Sequence, residues 1–256
     1  MDVNDILTIV REDYLDDTFE GWESASQAER DDQLLWSDKA LFRYITEAQR
    51  QACNRTDFIF DDSSSITKLT LKANVNEYRI SSYINTIEQL EYNGKKVTHI
   101  SREDRNRSLL QWRTNTGIGT NRSFYMIQGR KLFIYPIPDS TDAGKKVYLS
   151  VWRQPLDPIA SSSDELSIPE EYQRDLVWWV LYEAYSKQDA DGYDKDKGLG
   201  YLAQFNQAFG DYIPSEVRLN QLQEPESLRP RPIDYVGNSR LNRFGNDRHD
   251  DAEWYR

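Results

Sequence analysis

The sequence predicts an α+β fold in which a helical bundle formed from both ends of the chain carries an inserted small antiparallel β-barrel or sandwich and an extended C-terminal arm. Apolar residues recur at helical spacing near both ends of the 256 residues. Between these segments, apolar and polar residues alternate in short runs, which is typical of strands. Beyond them, prolines interrupt any helical period. We therefore expect a discontinuous helical bundle from residues 1–60 and 154–224, a β-rich module from 61–153 and an arm from 225–256.

The N-terminal part of the bundle is predicted to contain two helices. The spacing of apolar residues predicts the first helix over residues 2–17. The second is predicted to begin after Ser37, whose side chain can serve as an N-cap, and to reach about Asn54. Residues 22–34 between them are polar and acidic and are assigned no element. The apolar positions are Val3, Ile6, Leu7, Val10 and Tyr14 in the first helix, and Leu41, Phe42, Ile45, Ala48 and Ala52 in the second.

Seven short strands are predicted in the β-rich module. They cover residues 68–72, 77–80, 87–92, 95–100, 123–128, 132–135 and 146–153. Asn93-Gly94 is a strong signal for a two-residue hairpin turn, because both residue types accept a positive φ. Gly129-Arg130 and Ala143-Gly144 are weaker signals of the same kind. This many short strands in one segment favour a small barrel or sandwich.

The C-terminal part of the bundle is also predicted to contain two helices. Ser167 and Glu170 have the spacing of a capping box, so a helix is predicted to start there and to continue through Tyr185. A further helix is predicted to end at Gly210. It should turn Leu199, Leu202, Phe205 and Phe209 inward. The acidic segment 189–198 between the helices does not fit the ligand spacing of an EF-hand and is interpreted as a connection.

The net charge of −11 is unevenly distributed along the chain. Residues 1–32 carry −9, 33–64 carry −1, 65–155 carry +8, 156–224 carry −9, and the last 32 residues are neutral. Two interpretations remain open: the charges form solvated faces, or they provide electrostatic complementarity between neighbouring copies or partners. A surface dedicated to tight binding of nucleic acid is less favoured, because the whole chain is acidic.

The residue types most used in catalysis and metal binding are scarce. The chain has one cysteine, Cys53, and two histidines, His99 and His249. An intramolecular disulfide is therefore impossible, and nucleophilic, histidine-based and transition-metal chemistry has few candidate residues. Carboxylate or lysine chemistry remains open, so this exclusion is partial, and we expect no catalytic residue, no metal site and no cofactor. A carboxylate hydrolase is the remaining enzyme hypothesis, and no two acids occupy a recognisable frame for it.

Four segments resemble motifs of one protein family. They are Leu69-Thr70-Leu71 with Asn76-Glu77-Tyr78-Arg79-Ile80; the run from Ser123 to Asp139, which contains Gly129-Arg130-Lys131-Leu132 and Tyr135-Pro136-Ile137-Pro138-Asp139; Ile168-Pro169-Glu170-Glu171-Tyr172; and the run from Leu181 to Asp191. In this order, over residues 66–210, they resemble the head-to-tail adaptor proteins of tailed bacteriophages, the portal-binding connectors that complete the head.

The resemblance implies a structural virion protein of the neck, without enzymatic activity. Such adaptors form a ring oligomer, commonly a dodecamer, under the portal protein and present a surface to the tail or nozzle protein. The implied partners are therefore the portal, a tail or nozzle protein and other copies of this chain, while genomic DNA passes through the channel without specific binding. Assembly is expected in the host cytoplasm with no membrane partner, since the sequence has no long apolar stretch and its N-terminus has no signal-peptide pattern.

The arm is expected to dock on the portal, as the extended C-terminal segments of similar adaptors do. Arginine and aromatic side chains dominate binding energy at protein interfaces. The candidate portal-binding residues are Arg229, Arg231, Tyr235, Arg240, Arg243, Phe244, Trp254 and Tyr255. The arm and the acidic residues 1–32 carry none of the family motifs, so their expected roles rest on composition.

A DNA-binding module is the alternative function, with the β-rich module as its basic and aromatic face. Its candidate residues are Arg102, Arg105, Arg107, Trp112, Arg113 and Tyr125. Under the adaptor interpretation, the acidic helical segments are expected to face the channel, because basic walls would trap phosphates. The β-rich module is then expected to face outward or toward a partner.

Overall fold

A computed structural model describes residues 1–101, 106, 124–188 and 192–221, and these residues form a mixed α+β fold. The α-helices are α1 (Val3–Thr8), α2 (Gln27–Gln33), α3 (Asp38–Arg55), α4 (Glu170–Gln173), α5 (Leu176–Ser186), α6 (Lys195–Phe209) and α7 (Ser215–Gln221). The strands are β1 (Ile59–Asp61), β2 (Lys68–Thr70), β3 (Glu77–Arg79), β4 (Ile84–Tyr92), β5 (Lys95–Lys96), β6 (Thr98–His99), β7 (Phe124–Gln128), β8 (Lys131–Tyr135) and β9 (Lys146–Arg153). The predicted α+β class is confirmed.

Helix α1 starts at a capping box and continues into a wider helical turn. The amide N of Asp5 donates to Asp2 Oδ1 at 2.8 Å, and the amide N of Asp2 donates to Asp5 Oδ2 at 2.9 Å. After Thr8 the chain forms a π-helix over Ile9–Leu15, which ends where Asp16 adopts a φ of 49°. The helix predicted over residues 2–17 is confirmed, with its second half wound more loosely than an α-helix.

Helix α2 lies in the segment to which the sequence assigned no element. Ser26 and Glu29 form a capping box: the amide N of Ser26 donates to Glu29 Oε2 at 2.8 Å, and the amide N of Glu29 donates to Ser26 Oγ at 3.4 Å. The spacing of this serine and glutamate is readable in the sequence. The helix was missed because no apolar period accompanies the capping signal.

Helix α3 is the helix predicted after Ser37. Ser37 is its N-cap residue, and it ends at Arg55, one residue beyond the predicted end. Its predicted apolar positions Leu41, Ile45, Ala48 and Ala52 are fully buried. These side chains recur every three or four residues, so burying them along one side of the helix removes a continuous apolar stripe from water.

The strands form two sheets, and neither closes into a barrel within the described part of the chain. The first has the order β1–β9–β4–β5, with β2 also paired to β9, and the second has the order β3–β8–β7–β6. A barrel needs an unbroken ladder around the ring. Here β8 and β9 belong to different sheets, so the chain crosses between sheets over residues 136–145 and the ladder is interrupted. Of the predicted barrel or sandwich, the barrel is therefore not formed by the described residues, which make two separate sheets.

The second sheet also departs from the antiparallel prediction. Strand β6 pairs with β7 in parallel, with Thr98 opposite Phe124 and His99 opposite Tyr125. The other pairings of both sheets are antiparallel. A parallel pair needs a longer connection than a hairpin, and the 24 residues between the two strands supply one.

Two of the three predicted hairpin turns join paired strands. Asn93 and Gly94 have φ of 51° and 69° and connect β4 to β5, with Tyr92 opposite Lys95. Gly129, with φ of 57°, starts the turn between β7 and β8. Ala143-Gly144 does not form a hairpin, because the strand before it pairs in the other sheet. Instead the Gly144 amide donates to the Leu71 carbonyl at 2.9 Å, beside β2.

The first of the two predicted C-terminal helices starts differently from the prediction, and the second ends where it was predicted to end. The helix predicted from Ser167 is divided into α4 and α5, and the predicted capping box is wrong. Pro169 occupies the N-cap position without a side-chain bond, and the Ser167 amide donates to Gln49 Oε1 at 2.7 Å. The predicted inward position of Leu199 is also wrong, since it is 48% exposed. Helix α6 ends at Gly210, where φ is 82°, as predicted.

Two hydrophobic clusters organise these elements. The first draws its buried residues from both ends of the chain, between Val3 and Cys53 and between Ile159 and Phe209. The second is shared by the two sheets and also contains Leu219 of α7. Helices distant in sequence thus share one core, and the sheets share another.

Candidate interaction surfaces

The contact residues predicted in the arm lie outside the described residues. They are Arg229, Arg231, Tyr235, Arg240, Arg243, Phe244, Trp254 and Tyr255. Five of the six residues proposed for DNA binding also lie outside this part of the chain: Arg102, Arg105, Arg107, Trp112 and Arg113. The sixth, Tyr125, is 4% exposed, and its ring lies edge-on to that of His99 at 5.0 Å. Buried in this way, Tyr125 does not present a face on which a base could stack.

The structure gives the positions of several acids that could have bound a metal ion. Among residues 1–101, 106, 124–188 and 192–221, no three His, Cys, Asp or Glu side chains are close enough to hold a metal ion. Asp189 and Asp191 of the acidic connection lie outside these ranges. Asp194 caps α6, since its Oδ1 accepts from the Lys197 amide at 3.0 Å.

Cys53 is fully buried in the helical cluster. Burial raises the pKa of its thiol to about 12, because the thiolate would lose its hydration; nearby Arg153 acts in the opposite direction and is outweighed. A thiol with this pKa is protonated at neutral pH and is a poor nucleophile. Its role in the described structure is packing.

No helix in the described ranges is both long enough and apolar enough to cross a membrane.

A buried ionic network holds the acidic N-terminal segment against α3. The Arg11 guanidinium donates through Nη1 to Asp17 Oδ2 at 2.5 Å and through Nη2 to Asp38 Oδ1 at 2.7 Å. Arg30 Nη1 donates to the other oxygen of Asp38 at 3.0 Å. The side chains of Arg11, Asp17 and Asp38 are 0%, 6% and 3% exposed. Two cations thus balance two anions, which makes burial of the charges tolerable.

The same network fixes the turn that precedes α3. Asp17 Oδ1 accepts from the Leu35 amide at 2.7 Å, and Arg11 Nη2 donates to the Trp36 carbonyl at 2.7 Å. Trp36 is buried, whereas Leu35 projects into solvent with 42% exposure. The network therefore determines where Leu35 is presented.

Leu35 is an exposed apolar residue against which the chain at Gly192 packs. A Cβ atom on Gly192 would lie 2.7 Å from the Trp36 ring and 3.7 Å from Leu35, so the chain at Gly192 packs directly on this turn. The next residue, Tyr193, is 44% exposed. Exposed acids lie near these residues in the sequence, at Asp16, Asp32 and Asp196, and the exposed Lys195 and Lys197 flank Asp196. We call Leu35, Tyr193 and these three acids the acidic patch.

A second exposed patch lies on the outer face of the first sheet. Phe60 of β1 stands opposite Trp152 of β9, and their rings meet edge-on at 5.3 Å. Tyr148, four residues along β9 on the same face, stands opposite Lys68 of β2. Phe60 and Tyr148 are 48% and 42% exposed. We call Phe60, Lys68, Lys146, Tyr148 and Trp152 the sheet-face patch.

Sequence analysis identified neither patch. The signal for the sheet-face patch was present, because Tyr148 and Trp152 occupy the positions of β9 that alternate with the buried Val147, Leu149 and Val151. Aromatic residues at outward positions of a strand mark an exposed apolar surface. The acidic patch had no local signal, because Leu35 and Tyr193 are brought together only by the packing of distant segments.

A groove lies between α3, α5 and residues 158–159. It has a volume of about 540 Å³ and is lined by Arg43, Tyr44, Thr46, Glu47, Arg50, Pro158, Ile159 and Glu183. Burial raises the pKa of Glu183, and the nearby carboxylate of Glu47 raises it further. Burial also raises the pKa of Tyr44, with a smaller contribution from Glu183. Two arginines, Arg43 and Arg50, and two glutamates, Glu47 and Glu183, line the groove, so its charges balance.

The chain was compared with the sequence models of known protein families. The sequence model of the SU10 adaptor protein family matches residues 1–231. The chain belongs to the SU10 adaptor protein family. This is a family of phage head-to-tail adaptors, so the resemblance found in the sequence motifs is confirmed. A search of the curated proteins found no match.

Membership in the SU10 adaptor family establishes a phage structural role and a component of the virion. The match extends beyond the motifs of residues 66–210 and includes the acidic residues 1–32. The ionic network and the acidic patch therefore lie within the family's matched region. A structural adaptor family also favours a non-enzymatic role, and it implies contacts with other phage head and tail proteins.

Proposed function

We propose that this SU10 family adaptor forms a ring under the portal, links the portal to the tail or nozzle and continues the DNA channel. The observation that carries the proposal is the family match over residues 1–231. In this proposal, residues 1–60 and 154–224 form the helical bundle, 61–153 project from it as the β-rich module, and 225–256 form an arm. The ring is proposed to contain twelve copies and to lie in the neck of the virion.

The arm is proposed to supply the portal contact. Its six arginines and its aromatic residues are the residue types that anchor protein interfaces. When each copy of a ring donates one arm, every engagement after the first is intramolecular, so weak single contacts produce strong overall binding. The predicted anchors are Arg229, Arg231, Tyr235, Arg240, Arg243, Phe244, Trp254 and Tyr255.

The acidic helical part is proposed to face the channel. Asp157, Glu165 and Glu171 are exposed in or next to the helical cluster, and cationic side chains such as Lys68 and Lys95 are exposed on the β-rich module. A wall of carboxylates repels phosphates and leaves DNA free to move, whereas a wall of lysines binds them. Genomic DNA would thus pass without specific binding.

The test is the mass of the complex formed with a portal ring in sedimentation velocity. The full chain and a version that ends at Glu224 are each measured alone and mixed with the portal. The proposal expects the full chain to join the portal in a fixed ratio and the truncated chain to fail. Failure of both forms to bind would overturn the proposal, and equal binding of both would overturn the role of the arm.

The alternative, a DNA-binding module, is supported by the charge of +8 over residues 65–155. A titration of DNA with the full chain at increasing salt separates the two functions. Submicromolar binding that weakens steeply with salt would favour the DNA-binding module, because released counterions drive such binding. Absence of binding near physiological salt would favour the adaptor.

A further inference from the structure

We propose that Asn93 and Gly94 form a self-modifying site, at which the side-chain nitrogen of Asn93 is lost as ammonia and a carboxylate takes its place. The site lies in the exposed turn between β4 and β5, at the edge of the first sheet. The reaction needs only water as a co-reactant. This inference goes beyond the proposed function and does not depend on it, because the chemistry belongs to the chain itself.

The first argument is the identity of the two residues. An asparagine deamidates when the backbone nitrogen of the following residue attacks its side-chain carbonyl carbon, so the following residue controls access to the reaction. Glycine has no Cβ and reaches backbone conformations that other residues avoid, which removes the steric barrier to the attack. Residues 93–94 are the one Asn-Gly pair among the 256 residues.

The second argument is that the attacking amide is accessible. Asn93 and Gly94 are both exposed, and a Cβ atom placed on Gly94 would meet nothing within 4 Å. In a two-residue hairpin the ladder bonds join the flanking residues, here Tyr92 and Lys95, so the Gly94 amide stays outside the ladder. It donates no hydrogen bond to any of the described residues. No bond therefore has to break before the Gly94 nitrogen can attack.

Asn74 provides a contrast within the same chain. It is exposed and has a φ of 59°, close to the 51° of Asn93. The residue after it is Val75, whose branched side chain is stiff and crowds the backbone. The Val75 amide also donates to the Lys72 carbonyl at 3.3 Å. The two asparagines thus share exposure and backbone conformation and differ in the group that would attack.

The third argument is that the turn can open without disturbing the core. Strand β5 is two residues long, and both of its side chains, Lys95 and Lys96, are exposed. Exposed elements with few buried contacts open locally at low cost in free energy. Asn93 can therefore leave its positive φ and bring its side chain to the Gly94 nitrogen.

The reaction balances with one molecule of water. The Gly94 nitrogen forms a bond to Cγ of Asn93, and the side-chain nitrogen of Asn93 leaves as ammonia together with the proton of the Gly94 amide. The product is a cyclic imide. Water then adds to one of the two carbonyl carbons of the imide and breaks its bond to nitrogen, which gives aspartate or isoaspartate. Nothing is oxidised or reduced.

The two products change the edge of the first sheet differently. Asp-Gly is a favoured pair for the same turn, so aspartate adds a negative charge and leaves the hairpin in place. Isoaspartate routes the backbone through the former side chain and lengthens it by one carbon, which disturbs the register that a two-residue turn imposes. A virion component is not replaced after assembly, so slow changes of this kind accumulate.

The test incubates the purified full chain in water enriched in oxygen-18, at neutral and at mildly alkaline pH. Tandem mass spectrometry of peptides locates the label, because each conversion takes one oxygen atom from water. Among the described asparagines, we expect label at Asn93 first, while Asn74 stays unlabelled over the same interval. The rate should rise with pH, since the attacking nitrogen must lose its proton.

The matched control is Asn93→Gln, which keeps the carboxamide and places it one carbon farther from the attacking nitrogen. Label at residue 93 should disappear in this variant, and label that persists there would overturn the proposal. Label at Asn74 before Asn93 would also overturn it. So would the absence of label at Asn93 in the folded chain. In that case, label at Asn93 in guanidinium chloride would show that the hairpin protects the pair.

Discussion

Replacing Arg11 by methionine tests whether the buried ionic network stabilises the fold. Methionine has a long apolar side chain, so the change removes the charge while retaining much of the volume. Asp38 keeps Arg30 as a partner, but Asp17 keeps only the backbone amides of Leu35 and Trp36. Removing one partner of a buried ion pair typically costs about 3–5 kcal/mol, because the remaining charge stays buried without compensation.

We therefore expect Arg11→Met to lower the free energy of unfolding by about 3–5 kcal/mol. In a chain of this size, that corresponds to a fall of roughly 6–20 °C in the melting temperature. Urea unfolding followed by tryptophan fluorescence measures the change, and Trp22 reports on the site directly, because the Arg11 guanidinium lies 5.7 Å from its ring centroid. The matched control is Arg43→Met, an exposed position on α3 that should change stability by less than about 0.5 kcal/mol.

Two results would refute this reasoning. A loss below about 1 kcal/mol in Arg11→Met would show that the network contributes no more than a surface pair. Adding Asp17→Asn and Asp38→Asn to Arg11→Met should recover part of the lost stability, because the uncompensated charges are removed. If the triple variant were no more stable than the single one, the loss would come from packing rather than from charge.

Three further predictions concern other positions. Asp61→Asn should destabilise the chain by about 1–3 kcal/mol at pH 7, because desolvation of its carboxylate is outweighed by hydrogen bonds from Ser64, Ser63 and Arg153 that lower its pKa. The stabilisation by this carboxylate is fully present above its unfolded pKa of about 3.9. Urea titrations should therefore show the difference in unfolding free energy between the unchanged chain and Asp61→Asn becoming smaller as the pH falls from about 4 to 2. Cys53 should not react with a maleimide at pH 8 in the folded chain and should react in urea, as mass spectrometry would show. Gly200→Ala should raise stability by about 0.5–1 kcal/mol in urea unfolding, because its new Cβ meets nothing within 4 Å inside α6.

Each of these three has a result that would contradict it. If the difference in unfolding free energy between the unchanged chain and Asp61→Asn did not depend on pH, the ionised carboxylate of Asp61 would not be the stabilising form. Rapid labelling of Cys53 in the folded chain would show that the helical cluster opens readily. The control for Gly200→Ala is Gly198→Ala, where the added Cβ would lie 3.3 Å from Ser186 Oγ. Equal stabilisation by both substitutions would mean that this close approach has no cost.

Several elements followed from the sequence because their causes are local. The turn at Asn93-Gly94 needs two residues that accept positive φ, and the end of α6 needs the same property of Gly210. The stripe of α3 repeats within a single helix. Alternation predicted six of the seven strands nearly in full, since the pattern lies within each strand. The strand predicted over residues 95–100 is divided into β5 and β6.

The candidate surfaces were less accessible to sequence reasoning. The sequence directed attention to the arm and to the basic residues between Arg102 and Arg113, whereas the described structure displays the sheet-face patch and the acidic patch. The outward aromatic positions on β9 could have indicated the sheet-face patch. The acidic patch depends on Gly192 packing against Trp36, and these two residues are more than 150 positions apart in the chain.

The sequence by itself determined the α+β class, the adaptor family and the uneven charge, because these depend on local periodicity, motif order and composition. Only the tertiary structure decided which strands pair with β9, why the strands of the described residues do not close a barrel, and that Arg11 lies buried between Asp17 and Asp38. The physical reason is the range of the interactions. Turn chemistry and helical spacing act over a few residues, whereas strand partners and buried ion pairs are chosen by the free energy of the whole core.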